Sequence, residues 1–264
     1  MTSSKQWFDY FSNNLQVKRI NWNQRPGISP TEIETIVTSL QAWQLGETSD
    51  GANLVKAGKR YTEKTGDYFY INALELFIKE EQKHGENLGR YLDLIGQPRI
   101  KENWGDTLFR KLRHLNNSME AWTLTVITVE CAAQVYYQAL KDATNCRLLK
   151  EICTDILIDE APHIRFQQER LAIIFQSKSL LNRTVSFYGY KCFYFLTSLV
   201  VWMAHRKLFR AGNNNFKKYC KKMNFRFQKT IGKLKTEVKS AGSFQNDPYA
   251  LLARAPGRTS TYLQ

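Results

Sequence analysis

Two stretches of this chain place a histidine three residues after a glutamate that itself follows an acid. They are Glu80-Glu81-Gln-Lys-His84 and, 79 residues later, Asp159-Glu160-Ala-Pro-His163. On an α-helix, residues three apart lie one turn apart and about 60° around the axis, so such a pair can bind one metal ion from a single face. One Glu-x-x-His says little, because both residues are common on solvated helices. Two say more, and each has a lone carboxylate upstream: Glu47 lies 34 residues before Glu81, and Glu130 lies 30 before Glu160. Nitrogen and carboxylate donors suit iron or manganese.

Four long helices must carry these residues. Ser29-Pro30-Thr31-Glu32 has the form of a helix start, with a serine cap, proline in first position and an acid in the first turn. The first long helix is expected to run from there to about Glu63, with Ile36, Leu40, Trp43, Leu54 and Ala57 on its apolar side. Gly46 and Gly51 interrupt it near Glu47, each costing up to about 1 kcal/mol relative to alanine. They imply either close helix packing or room for a small molecule beside Glu47. Thr65-Gly66-Asp67 is the turn into a second helix, which ends near Ile95 before Gly96-Gln-Pro98.

Residues 97–117 form a long connection, with a short helix through Trp104, Leu108 and Leu112 and a surface histidine, His114, in a basic run. The third helix spans about Ser118 to Asp142 and is apolar nearly all round, so it should be buried on most sides. A carboxylate such as Glu130 in that setting is costly unless paired, protonated or metal-bound. The fourth helix covers about Cys146 to Gln176. Pro162 lies inside it and is expected to kink it at the Ile158 carbonyl.

Helices joined by a short turn bring residues level when these are equally far from the turn. Glu47 lies 18 residues before Thr65 and Glu81 lies 16 after it; Glu130 lies 14 before Thr144 and Glu160 lies 16 after it. At about 1.5 Å per residue each pair is level to within roughly one turn. Two helical hairpins would then set four carboxylates and two imidazoles at mid-height in one bundle.

That constellation resembles the ferritin-like di-iron carboxylate proteins, in which two helices each give a Glu and two others each give a Glu-x-x-His. The resemblance covers about residues 31–177. It implies an all-α, ferritin-like four-helix bundle with a long connection between its two hairpins, plus extra C-terminal helices. It also implies two iron ions, or manganese with iron, held by Glu47, Glu81, His84, Glu130, Glu160 and His163. Either Glu81 with Glu130 or Glu47 with Glu160 could bridge the ions. Glu80 and Asp159 are expected to support the ligand histidines, Asp159 across the bundle, because metal-bound histidines commonly donate their second ring N–H to a carboxylate. The family activates dioxygen at paired irons. A tyrosine could serve there as a radical or electron relay: Tyr136 and Tyr137 follow Glu130 by six and seven residues, and only Tyr137 shares its face, but core packing is the plainer account of both.

The remaining sequence falls into two flanks. Residues 1–29 carry Trp7, Phe8, Tyr10, Phe11, Ile20 and Trp22 and read as a short amphipathic helix with an irregular lead-in packing on the bundle, or touching a membrane. Residues 1–177 hold 21 Lys and Arg against 22 Asp and Glu, whereas residues 178–264 hold 17 against 2. The whole basic excess of this +14 chain therefore sits in the last third. Within it, Val185 to Ala204 is a 20-residue run charged only at Lys191. It is long enough to span a bilayer, but also reads as a packed fifth helix, a dimer surface or an interfacial helix. The basic, aromatic segment after Phe216, through Lys233 and Lys235, makes residues 185–235 a candidate for anionic lipid surfaces. Nucleic acid is a poorer fit, since no recognisable motif for it appears. Residues 241–264 read as an extended tail.

Five cysteines (131, 146, 153, 192, 220) without a C-x-x-C pair suggest reduced thiols. With no apolar signal core at the N-terminus, the expected location is cytoplasmic, either free or peripheral to the inner face of a membrane as the basic flank suggests. Two functions follow. One is a di-iron or Fe/Mn oxidoreductase or oxygenase acting on a small or lipid-like substrate with an external electron donor. The other is a non-enzymatic, membrane-associated metal-binding or scaffold protein. The plainest alternative to both is a four-helix bundle whose acids face water.

Overall fold

The computed structural model describes residues 1–105 and 118–234. The short helix expected through Leu108 and Leu112, His114, Lys235 and the 241–264 tail lie outside the described residues. Those that are described form α1 (Ser4–Asn14), α2 (Pro30–Glu47), α3 (Ala52–Thr65), α4 (Tyr68–Leu94), α5 (Met119–Ala143), α6 (Arg147–Gln176), α7 (Leu180–Ala211) and α8 (Phe216–Lys229), with a 3-10 turn at Ile231–Lys233. No strand occurs among them.

The bundle is built from α2, α4, α5 and α6. Ser29 caps α2 and exchanges hydrogen bonds with Glu32, three residues on. The second Glu32 oxygen accepts from Asn145 N at 2.6 Å and Thr144 Oγ1 at 3.1 Å, tying the start of α2 to the α5–α6 turn. Burial alone would raise the Glu32 carboxyl, but these donors outweigh it and hold it at about 2. α5 is buried on most of its circumference, as its composition requires. It packs on α6, α7 and α8, while α4 packs on α1, α2, α3 and α6.

The single helix expected to reach Glu63 is in fact two. α2 stops at Glu47, and Gly51 takes a left-handed φ of 64° to begin α3. A Cβ there would lie 2.7 Å from Ile78 Cδ1, so conformation and packing both call for glycine. Gly46 has nothing within 4 Å of the place a Cβ would take. The two glycines thus divide the two expectations: Gly51 serves close packing and Gly46 leaves open space.

α6 runs unbroken through Pro162. Ile158, whose carbonyl loses its partner to the proline, lies on the exposed side of the helix. α1 lies on α4 and buries Trp7, Phe11 and Asn14. The Val185 to Ala204 run belongs to α7, which packs against α5, α2 and α8. Among the described residues no helix is long and apolar enough to cross a membrane, so the spanning alternative for this run does not hold. All five cysteines are free.

Candidate metal centre

The two Glu-x-x-His motifs face each other from α4 and α6, with Glu47 arriving at the end of α2 and Glu130 midway along α5. Their donor atoms converge in two groups, Glu47–Glu81–His84 and Glu81–Glu130–His163, each within 4.8 Å. Glu81 belongs to both. Of the pairings the sequence left open, this geometry makes Glu81 the carboxylate between two positions. Glu160 lies outside both groups. It is fully buried with both oxygens unpartnered and sits against Glu130.

Gly85 makes the first group possible. A Cβ at Gly85 would lie 2.8 Å from Thr48 Cγ2 and 3.0 Å from Thr48 N. With no side chain there, the end of α2 can settle on α4 one turn from Glu81.

The acid of each motif serves the histidine of the other. His84 Nε2 is 3.2 Å from Asp159 Oδ2, and His163 Nε2 is 2.8 Å from Glu80 Oε2. A proton on each Nε2 leaves Nδ1 as a lone-pair donor, and both Nδ1 atoms lack a hydrogen-bond partner. His163 Nδ1 lies 2.6 Å from Glu81 Oε1, which is also without a hydrogen bond. Two lone pairs so close are repulsive unless they share a proton or a cation. These orphaned atoms fit a metal at their centre.

α1 and the segment after it complete the site. Asn14 Nδ2 donates to Glu80 Oε1 and to Asp159 Oδ1, both at 2.9 Å. Arg19 Nη1 reaches Asp155 at 2.8 Å and Asp159 at 3.0 Å. Phe11 and Phe77 pack on the His163 ring at 5.9 and 4.8 Å. Glu47 is held from another side: Trp43 Nε1 and Tyr137 Oη donate to the same oxygen, Oε1, at 2.8 and 2.7 Å. The Trp43 indole stacks on Tyr136 at 4.0 Å and 9°.

The electrostatics are those of crowded, buried acids. Burial raises Glu47, and neighbouring Glu81 adds to it, carrying the carboxyl up to about 8. Burial and Glu130 push Glu160 well above the usual range. Glu130 is raised by burial, with Glu160 and His163 pulling the other way. Burial would lower His163, but Glu81 and Glu80 outweigh it and take the imidazolium well up. Burial would likewise raise Asp159, yet His84, Asn14 and Arg19 keep it ionised. Glu47, Glu130 and Glu160, each raised by burial, ionise together only against cations at their centre.

A cavity of about 280 Å³ opens beside the cluster. Glu47, Glu81 and Glu130 form one part of its lining; Trp43, Phe77, Ile78, Trp122 and Val201 supply apolar wall. Gly46 faces this space.

Asn14, Arg19 and Trp43 had no part in the sequence-based site. Asn14 did leave a signal. It falls at the spacing of Trp7 and Phe11, a polar residue on the apolar face of an amphipathic helix.

No protein-family model and no curated protein matches the sequence. Among solved structures, the chain is similar to two variants of an R2-like ligand-binding oxidase with an anaerobically reconstituted Mn/Fe cofactor. One has a TM-score of 0.57 at 14% identity, the other 0.55 at 15%; in both, 87% of this chain and 94% of that chain are covered. The chain therefore has the all-α, ferritin-like fold seen in the R2-like ligand-binding oxidases.

Proposed function

We propose that this protein is a dimetal oxidase that binds two ions, iron or manganese with iron, and uses dioxygen to oxidise a small apolar molecule. The observation that carries this reading is the place of Glu81 in both donor groups. The solved structures of similar fold hold a Mn/Fe cofactor, and the mixed nitrogen and oxygen donor set suits both metals. Glu47, Glu81, His84, Glu130 and His163 would hold the ions, with Glu160 in reach of the second through Glu130. When bound, the metals supply dioxygen binding and redox equivalents.

The chain's own residues do the rest. Asp159 and Glu80 hold the Nε2 protons of the two histidines and so aim both Nδ1 atoms inward. Asn14 and Arg19 keep Asp159 charged. Trp43 and Tyr137 occupy one oxygen of Glu47 and leave the other as donor. Phe11 and Phe77 keep water from His163, and the cavity receives the substrate next to Glu47, Glu81 and Glu130. The test is metal content together with dioxygen-dependent turnover of candidate apolar substrates.

A second reading concerns attachment and is compatible with the first. Leu181, Val185, Tyr188, Cys192, Leu196, Leu199 and Met203 are exposed along α7 at three- and four-residue steps. Together with the lysines of α8, this stripe favours a peripheral contact with an anionic lipid surface.

A further inference from the structure

The cavity wall contains a histidine that the metal centre does not use. His205, on α7, is buried, and its Nδ1 lies 2.7 Å from Ser39 Oγ on α2. The ring is fixed edge-on against Trp43 and Tyr136, each with centroids 5.3 Å away. It lines the same cavity as Glu47, Glu81 and Glu130. Trp43 stands between His205 and Glu47, donating its indole N–H to the carboxylate. One indole therefore touches both His205 and Glu47.

Proton placement fixes what His205 offers. The only side-chain hydrogen bond of Ser39 among the described residues that has full geometry is the one to Nδ1. If Nδ1 were the donor, the buried Ser39 proton would lack that acceptor. With Nδ1 as acceptor, the Ser39 proton is placed. In this arrangement Nε2 carries the ring proton. Burial pushes the imidazolium down to about 4, so the ring is neutral at pH 7. No hydrogen bond to Nε2 exists among the described residues, and the ring borders the cavity.

We infer that His205 is a specificity-determining hydrogen-bond donor for the molecule in this cavity, and that this molecule is apolar, uncharged and bears one acceptor oxygen, a carbonyl or hydroxyl. A neutral N–H offers little to an anion, and nearby carboxylates disfavour one. The oxygen would sit at the His205 side of the cavity, with the rest of the molecule extending toward Glu47, Glu81 and Glu130. This deepens the proposed oxidase reading, since it takes the cavity as the substrate's place.

Two probes of nearly the same shape test it: acetophenone, which has the oxygen, and ethylbenzene, which lacks it. Calorimetric titration of the metal-free full chain gives both affinities. His205→Phe is expected to weaken acetophenone about tenfold, the worth of one hydrogen bond of about 1.4 kcal/mol, and to leave ethylbenzene within about twofold. His205→Gln keeps an N–H in place and should recover most of the loss. Ser39→Ala frees the tautomer and should cost acetophenone about threefold without touching ethylbenzene. Equal effects of His205→Phe on both probes would overturn the inference, as would a wild-type chain that binds neither. Should His205→Phe not fold, Ser39→Ala and His205→Gln decide the matter by the same comparison. Metal uptake by the wild-type chain reconstituted with iron and manganese is a separate readout: a chain that takes up no metal yet discriminates the probes as stated contradicts the dimetal reading and supports the His205 inference.

Discussion

His84 Nε2 lies 3.2 Å from Asp159 Oδ2, and neither side chain meets solvent. The acid comes from one Glu-x-x-His motif and the histidine from the other. His163 and Glu80 repeat the exchange in the opposite direction at 2.8 Å. The two motifs therefore depend on each other: neither histidine can be oriented unless α4 and α6 are docked. Asn14 bonds both acids at once and ties α1 into the same unit.

Asp159→Ala should lower metal affinity by about 10–100-fold, the usual cost of losing an outer partner of a ligand histidine. The helical circular dichroism spectrum should persist, since Arg19 retains Asp155. Competition with a chromophoric chelator measures the effect. Unchanged affinity would mean that Asp159 does not orient His84.

The pH dependence of the metal-free chain follows from Glu47. Its carboxyl stands at about 8 when folded and near the ordinary carboxylate value when unfolded. The folded state thus binds more protons between these values, and stability falls as pH rises through them. His205, lowered to about 4, acts in the opposite sense only up to its ordinary value of 6.5. His163, which is raised, acts in the same sense as Glu47. Between pH 6.5 and 8 the melting temperature of the metal-free protein should therefore fall, and metal affinity should rise as the Glu47 proton leaves. A melting temperature that climbs across this window contradicts the assignment.

Tyr137→Phe removes one of the two donors to Glu47 Oε1. The Tyr137 hydroxyl favours the ionised carboxylate, so its loss should move the pH for half-maximal metal uptake upward. Titrating metal uptake from pH 6 to 9 reads the shift directly; a downward shift would show that Tyr137 does not stabilise the carboxylate.

Gly85→Ala should destabilise the chain by about 1–3 kcal/mol, because the new methyl meets the Thr48 backbone and α2 must move. Urea unfolding measures this. The variant should also lose metal at the Glu47 position before the Glu130 position. Wild-type stability would show that α2 does not need this close approach.

If the α7 stripe and the α8 lysines contact lipid, the chain should sediment with phosphatidylserine vesicles at low salt and be released at high salt. Leu196→Asp should weaken the binding. No sedimentation at low salt removes this reading.

Much of the bundle was legible because it rests on local rules. Helix starts at Ser29 and Ser118, the turn at Gly66 and the stop at Gly96 are one- to four-residue signals, and the structure keeps them. The levelling of Glu47 with Glu81 was also legible, although it assumed one helix where two exist. The break at Thr48–Gly51 is a matter of how α2 meets Ile78 and Gly85, and no helical period reports that. The same holds for Asn14 on Asp159, 145 positions away, and for His205 on Ser39, 166 away. Spacing could align Glu160 with Glu130 but could not decide which carboxylate falls between the two donor groups.

That last point gives the most direct test. Glu81 alone belongs to both groups, so its loss should empty both positions, whereas Glu47→Ala should spare one. Elemental analysis of the purified chain is predicted to find close to two metal ions per wild-type chain, about one in Glu47→Ala and almost none in Glu81→Ala. A wild-type chain reconstituted with iron and manganese that retains no metal, or a Glu81→Ala variant that still holds both ions, would contradict the account.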